Sequence, residues 1–201
     1  MATAALGPYT LKDWLSTPEG EHWELIHGNL VMTGETAGNS KLARKILVAL
    51  DNYLERHPLG EAAHNTAFGF PGIIDLDREG VVPDLCYIPN DQLSKWDDEA
   101  NVQKGVIPAL VVEILSPSTR EIDLVDKVEI YREAGVSEYW ILDRSQEAMR
   151  IWRFSENPNA PIAVQSFAET ITTPLLPGFV LDLPKIRKTL VVGRKCPDQS
   201  R

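Results

Sequence analysis

The apolar run Ala109-Leu110-Val111-Val112-Glu113-Ile114-Leu115, together with the residues just after it, constrains this chain more than any other stretch. A run of that length and composition reads as a strand covered on both faces. Ser118 and Glu121 have the S-x-x-E spacing of a capping box, and they open a helix expected to run to Ala134. Gly135 stops that helix, and Glu138 to Leu142 returns as another apolar strand. Strand, helix, strand is a βαβ unit, whose crossover joins parallel neighbours and is nearly always right-handed. The fold must therefore hold a parallel pair with a helix laid across it.

Other signals fill in the frame. Thr10 and Asp13 resemble a capping pair for a short helix carrying Leu11, Trp14 and Leu15. Trp23–Ile26 and Leu30–Met32 flank His27-Gly28-Asn29, which predicts a hairpin with Gly28 in its turn. Leu42, Ile46, Ala49, Leu50, Tyr53 and Leu54 keep helical period between Asn39 and Arg56. Ala62–Phe70 and Val81–Ile88 read as strands, and the polar connection from Pro89 to Pro108 is long enough to be functional or partly helical. Met149–Phe154 and Ile162–Phe167 alternate as a C-terminal β-meander. The class is α/β with a mixed sheet flanked by helices. At 201 residues one domain is expected, over 9–190, with 1–8 and 195–201 as flexible termini.

The charge balance, 20 basic against 29 acidic residues, opposes non-specific binding to nucleic acid, because phosphate neutralisation needs Lys and Arg. It leaves room for a local basic groove. Cys86 and Cys196 make no CxxC pair, and the four histidines have no zinc-ligand spacing. No basic n-region precedes an apolar h-region, and no stretch reaches the roughly 20 apolar residues of a membrane span. A cytoplasmic protein without a membrane partner is the expectation. No nucleotide-binding glycine loop and no G-x-S-x-G is present.

Chemistry points first to Glu113. An unpaired buried carboxylate costs several kcal/mol, so it needs a partner, a proton or a metal. A strand-end cap or an arginine pair is the ordinary alternative. Asp84 is a second lone acid in an apolar segment, Val81-Val82-Pro83-Asp84-Leu85, where a Pro-Asp turn is the ordinary alternative. Two such acids on neighbouring strands make a site for a hard cation with oxygen ligands. Removing either acid should relieve repulsion between them. Asp123, Lys127 and Tyr131 share one helix face, and there the functional reading favours Lys127, with the other two as surface groups. Glu24 is a weaker candidate, a single acid in the hairpin. The capping box already accounts for Ser118.

These residues carry a resemblance. Trp23-Glu24-Leu25-Ile26-x-Gly28, Val82-Pro83-Asp84, the run Val112-Glu113-Ile114-Leu115-Ser116-Pro117-Ser118-Thr119, then Asp123, Lys127, Tyr131 and Gly135-Val136-x-Glu138-Tyr139-Trp140 look like the Uma2 family of restriction-endonuclease-like proteins. Pro174-Leu175-Leu176-Pro177-Gly178-Phe179 is also similar. The resemblance spans about Tyr9 to Leu183. It implies a PD-(D/E)XK nuclease core, with Asp84, Glu113 and the Ile114 carbonyl holding Mg²⁺ or Mn²⁺. Leu115 stands where the superfamily pattern places lysine, and Lys127 supplies the amine instead. Glu24 would hold a further water or ion. His27 and Asn29 stand where the family pattern often has acids, and Asn39 where it often has a histidine. The implied activity is metal-dependent hydrolysis of nucleic-acid phosphodiesters, with DNA the expected polymer and a homodimer the expected assembly. A catalytically silent binding module and a small-molecule phosphodiesterase are the rivals.

Overall fold

The computed structural model describes residues 6–18, 21–34, 36–70 and 78–191. In chain order these form α1 (Leu11–Trp14), β1 (Trp23–Ile26), β2 (Asn29–Met32), α2 (Ala37–Leu54), β3 (Gly60–His64), β4 (Phe68–Gly69), β5 (Leu85–Pro89) and α3 (Asn90–Leu93). They continue with β6 (Gln103–Lys104), β7 (Leu110–Ile114), α4 (Arg120–Leu124), α5 (Asp126–Ala134), β8 (Glu138–Asp143) and β9 (Ala148–Arg153). Last come β10 (Ala163–Ser166), β11 (Thr170–Ile171), β12 (Leu181–Asp182) and α6 (Leu183–Val191).

The main sheet has the order β10-β9-β8-β7-β5-β3. β7 and β8 run parallel, Leu110 beside Glu138 through Ile114 beside Leu142, while their other neighbours are antiparallel. That parallel pair is the expected βαβ unit, and β8-β9-β10 is the expected meander. The class is thus α/β with a mixed sheet between helices. Side-chain alternation along β7 assigns its two faces. Leu110, Val112 and Ile114 pack with Leu42, Ile46 and Leu50 of α2 and with Leu183 and Ile186 of α6. Val111 and Leu115 pack on the other side with Val128, Ile130 and Tyr131 of α5 and Tyr139 and Ile141 of β8. Glu113 has the parity of Val111 and Leu115, so it belongs to the α5 face.

Several local expectations are corrected. Ala62–Phe70 is two strands, because Asn65 adopts φ +48° between them, and Phe68 pairs instead with Gln103. Val81 joins Phe68 only by an isolated bridge, and the strand proper begins at Leu85 after Pro83, which has no N–H to donate. Asp84 therefore stands at the mouth of β5 rather than within it. Ser118 does not cap the following helix. Its hydroxyl lies 3.0 Å from that of Ser116, and Thr119 takes the N-cap position without a side-chain cap. The expected single helix breaks at Val125 (φ −126°, ψ −69°), and α5 then ends at Gly135 with φ +86°. The polar connection is partly helical through α3. Helix α6 follows β12 directly. The tail expected over 195–201 lies outside the described residues.

No helix among the described residues is long and apolar enough to cross a membrane.

Candidate active site

Antiparallel pairing of β5 with β7 sets Leu85 opposite Val112, which brings Asp84 and Glu113 to the same end of the sheet. Asp84 Oδ2 accepts the backbone N–H of Ile114 at 2.6 Å, and the N–H of Asp84 points to Glu113 Oε2 at 3.4 Å. Two acids 29 positions apart in sequence thus interlock through backbone amides.

The hairpin supplies a third acid. Leu25 and Gly80 exchange two backbone hydrogen bonds of 2.8 Å, which dock β1 beside the segment leading to Asp84. Glu24 Oε1 then accepts the N–H of Val82 at 2.7 Å. Gly28 holds the turn at φ +71°, with His27 at φ +49°. His27 Nδ1 lies 2.9 Å from Glu79 Oε1, and its Nε2 lies 3.5 Å from Asp126 Oδ1, so the turn is tied to the start of α5.

Helix α5 completes the cluster. Lys127 Nζ lies 2.8 Å from Glu113 Oε1, 2.9 Å from Glu24 Oε2 and 3.1 Å from Asp123 Oδ1. Its ammonium donates to Glu113 and forms ion pairs with Glu24 and Asp123. Tyr131 donates its hydroxyl to Glu113 Oε1 at 2.9 Å. Thr119 donates to Asp123 Oδ2 at 2.9 Å. Relative exposures are 0% for Glu24, 4% for Glu113, 3% for Asp123 and 2% for Lys127, so solvent screens these charges little.

The electrostatics follow. Burial pushes the Glu113 carboxyl well above its ordinary range, Lys127 pulls it back, and Asp84, Asp123 and Glu24 push it further up. Glu24 is raised by burial against the pull of Lys127. Burial alone would depress the Lys127 ammonium, but Glu113, Glu24 and Asp123 outweigh it and hold the group well above its usual value. Lys127 is therefore a fixed positive charge at neutral pH. Tyr131, buried beside Glu113, is held as the phenol.

Asn39 near the start of α2 donates to the carbonyls of Ile114 and Leu115 at 3.1 and 3.2 Å, and its own carbonyl accepts from Arg144 at 3.0 Å. The end of β7 is thereby pinned from the α2 side. A cleft with about 60 Å³ of solvent space, room for a few waters, opens onto Glu24, Asn39, Asp84, Glu113, Asp123 and Lys127. Among the described residues no three His, Cys, Asp or Glu side chains form a ready-made metal cluster. The oxygen donors that face one another are the two carboxylates Asp84 and Glu113, with the Ile114 carbonyl at the same strand end. All are hard ligands, and Mg²⁺ typically takes one or two carboxylates and keeps its waters. The donor set fits such an ion.

The family model for Uma2, described as a putative restriction endonuclease, matches residues 9–184. The chain belongs to the Uma2 family. Its fold is similar to that in the crystal structure of "a putative nuclease belonging to DUF820" from Anabaena variabilis, at 17% identity and TM-score 0.74, covering 91% of this chain and 99% of that one. No curated protein matches the chain.

In this Uma2 chain the four residues singled out from sequence, Glu24, Asp84, Glu113 and Lys127, lie together, and the Ile114 carbonyl is beside them. Asp123 and Tyr131, expected on the surface, are buried in the same cluster. Their shared helix face with Lys127 was the available signal. Glu79 and Asp126 as partners of His27 had none, since both are ordinary surface acids by local pattern. Asn39 was visible as a departure from the Uma2 pattern, but its bridge between strand end and helix was not.

Proposed function

We propose that this Uma2 protein is a metal-dependent nuclease acting on nucleic-acid phosphodiester bonds, built as one domain over 9–190. The observation that carries this reading is the meeting of Asp84 and Glu113 at one end of the sheet, beside Lys127. Glu24 and Asp123 line the same cleft, and Lys127 contacts both of them and Glu113. Two facing carboxylates with a backbone carbonyl suit a hard cation. Asp84, Glu113 and the Ile114 carbonyl would hold Mg²⁺ or Mn²⁺. When bound, the ion lowers the pKa of a coordinated water and offsets charge on the phosphate.

The chain's own groups do the rest. Asp84 is oriented by the Ile114 N–H, and Glu113 by Tyr131 and Lys127. Lys127, kept protonated by its acids, serves as a hydrogen-bond donor to the attacking water or the phosphate. It is a poor general base in this state. Glu24 anchors the hairpin to Val82 and shares the charge of Lys127, and its position suits a bound water beyond the main ligands. The C-terminal edge strand β10, with Val164 62% exposed, is the proposed interface of a homodimer.

The test is one preparation assayed with Mn²⁺ on labelled single- and double-stranded DNA and RNA. Cleavage lost in Asp84→Ala and Glu113→Ala supports the reading. A second reading, a silent module on the same fold, is favoured by the tight engagement of Glu113 Oε1 with Lys127 and Tyr131. Mn²⁺ binding without any cleavage would select it.

A further inference from the structure

A larger cleft, of about 420 Å³, adjoins the acid cluster and shares His22, Thr33, Asn65 and Val82 with its lining. Its wall includes two half-buried indoles, Trp23 and Trp96. Each is pinned by its N–H. Trp23 Nε1 donates to Glu21 at 2.9 Å, and Trp96 Nε1 donates to Asp98 at 2.9 Å. Trp96 is backed by the core ring of Phe68, 6.4 Å between centroids. Indoles fixed in this way lose little freedom when a flat ligand stacks on them.

Apart from His22 and the two carboxylates that hold the indoles, the polar lining is made of amide and hydroxyl groups. Asn65, Asn101, Thr33 and Thr66 present amide and hydroxyl groups, the kind that read the edge of a heterocycle. Lys127 is the sole Lys or Arg among the described residues lining either cleft, and three carboxylates already surround it. A duplex held by its phosphates needs a row of such cations. This surface has aromatic rings in their place.

We propose that the cleft beside Trp23 and Trp96 binds a nucleobase of a single-stranded or locally unpaired nucleic acid, next to the phosphate that meets the acid cluster. The inference deepens the nuclease reading and rests on it for the identity of the polymer. Base stacking on aromatic side chains tolerates any sequence and needs no basic groove, so it suits an acidic protein. Paired bases cannot enter such a pocket unless they leave the stack. The long connection between β5 and β7 then has a use, since Trp96, Asp98 and Asn101 all come from it.

Binding is measured by fluorescence anisotropy in EDTA, where no metal chemistry contributes. The probes are labelled oligothymidylate of roughly eight nucleotides, an abasic sugar-phosphate strand of equal charge, and a duplex of the same length. The wild-type chain should prefer oligothymidylate over both others by about tenfold or more. Trp96→Leu should erase that preference, and Trp96→Phe should keep most of it, with circular dichroism reporting the fold of each. Equal binding of the abasic strand, a preference that survives Trp96→Leu, or no binding of oligothymidylate overturns the proposal. A base preference without Mn²⁺-dependent cleavage would sink the catalytic reading alone.

Discussion

The backbone N–H of Ile114 donates to Asp84 Oδ2 at 2.6 Å, and Ile114 directly follows Glu113. One hydrogen bond thus ties the entrance of β5 to the exit of β7 and fixes how the two acids face each other. If they hold a divalent ion, Asp84→Ala and Glu113→Ala should each abolish Mn²⁺ binding in calorimetry. Unchanged affinity in both would remove the site. The two should differ in stability without metal. Asp84→Asn keeps an acceptor for Ile114 and relieves repulsion, so stability should hold or rise. Glu113→Ala strands Lys127 and Tyr131 and should cost about 3 kcal/mol. The relief expected from sequence for both acids therefore applies to Asp84 only.

Lys127 is no surface partner of Asp123. Its three carboxylates lie within 3.1 Å, and all are buried. Lys127→Met should lower unfolding free energy by about 3–5 kcal/mol near neutral pH, measured by urea denaturation. A loss below about 0.5 kcal/mol would mean the acids are protonated or hydrated without it. Lys127→Arg should keep more of the stability than of the activity, because a guanidinium places its donors differently.

The buried acids give stability a pH signature. Glu113 and Glu24 have folded values raised above the ordinary 4.5, so the folded chain binds more protons than the unfolded chain just above that pH. Their contribution to stability must then fall as pH rises through the raised values, and be least where both are ionised. The metal-free melting temperature should increase as pH is lowered from 8 toward about 5. Glu113→Gln should flatten the trend. Lys127 has the same sign at the alkaline end: its raised value gives a stabilisation that is full below the ordinary 10.5 and is lost as pH rises through the folded value. A melting temperature that rises from pH 5 to 8 would contradict the account.

The hairpin turn can be tested without touching any charged group. At Gly28 the backbone has φ +71°, and an added Cβ would meet the carbonyl oxygen of Gly7 at 2.5 Å. Gly28→Ala should cost at least about 1–2 kcal/mol from the left-handed backbone alone. Because β1 carries Glu24, activity should suffer as well. A Gly28→Ala protein with unchanged thermal midpoint would show that the turn relaxes freely.

Much of this was legible in the residues. The βαβ unit followed from an apolar run, a helix signal and Gly135, all local features that the packing reinforces. Asp84 and Glu113 stood out because charge inside an apolar segment is costly and rarely accidental. What stayed hidden depended on tertiary partners. The break at Val125 has no Pro or Gly to announce it. Ser118 fits a capping box by spacing, yet its hydroxyl is drawn to Ser116 by the packing of the strand end. Asp123 and Tyr131 looked like surface groups because helix periodicity cannot say which face another element will cover.

The alternation of β7 gives Glu113 a second consequence, felt during folding. A one-residue slip in pairing would turn every side chain of that strand to the opposite face. Val111 and Leu115 would lose little, since both sides are apolar. Glu113 would be driven among Leu42, Ile46 and Leu50, far from the ammonium and phenol that now satisfy it. The misregistered sheet would carry a stranded charge, and the native one does not. A strand of otherwise interchangeable aliphatic residues thus has a single polar mark that tells correct assembly from incorrect.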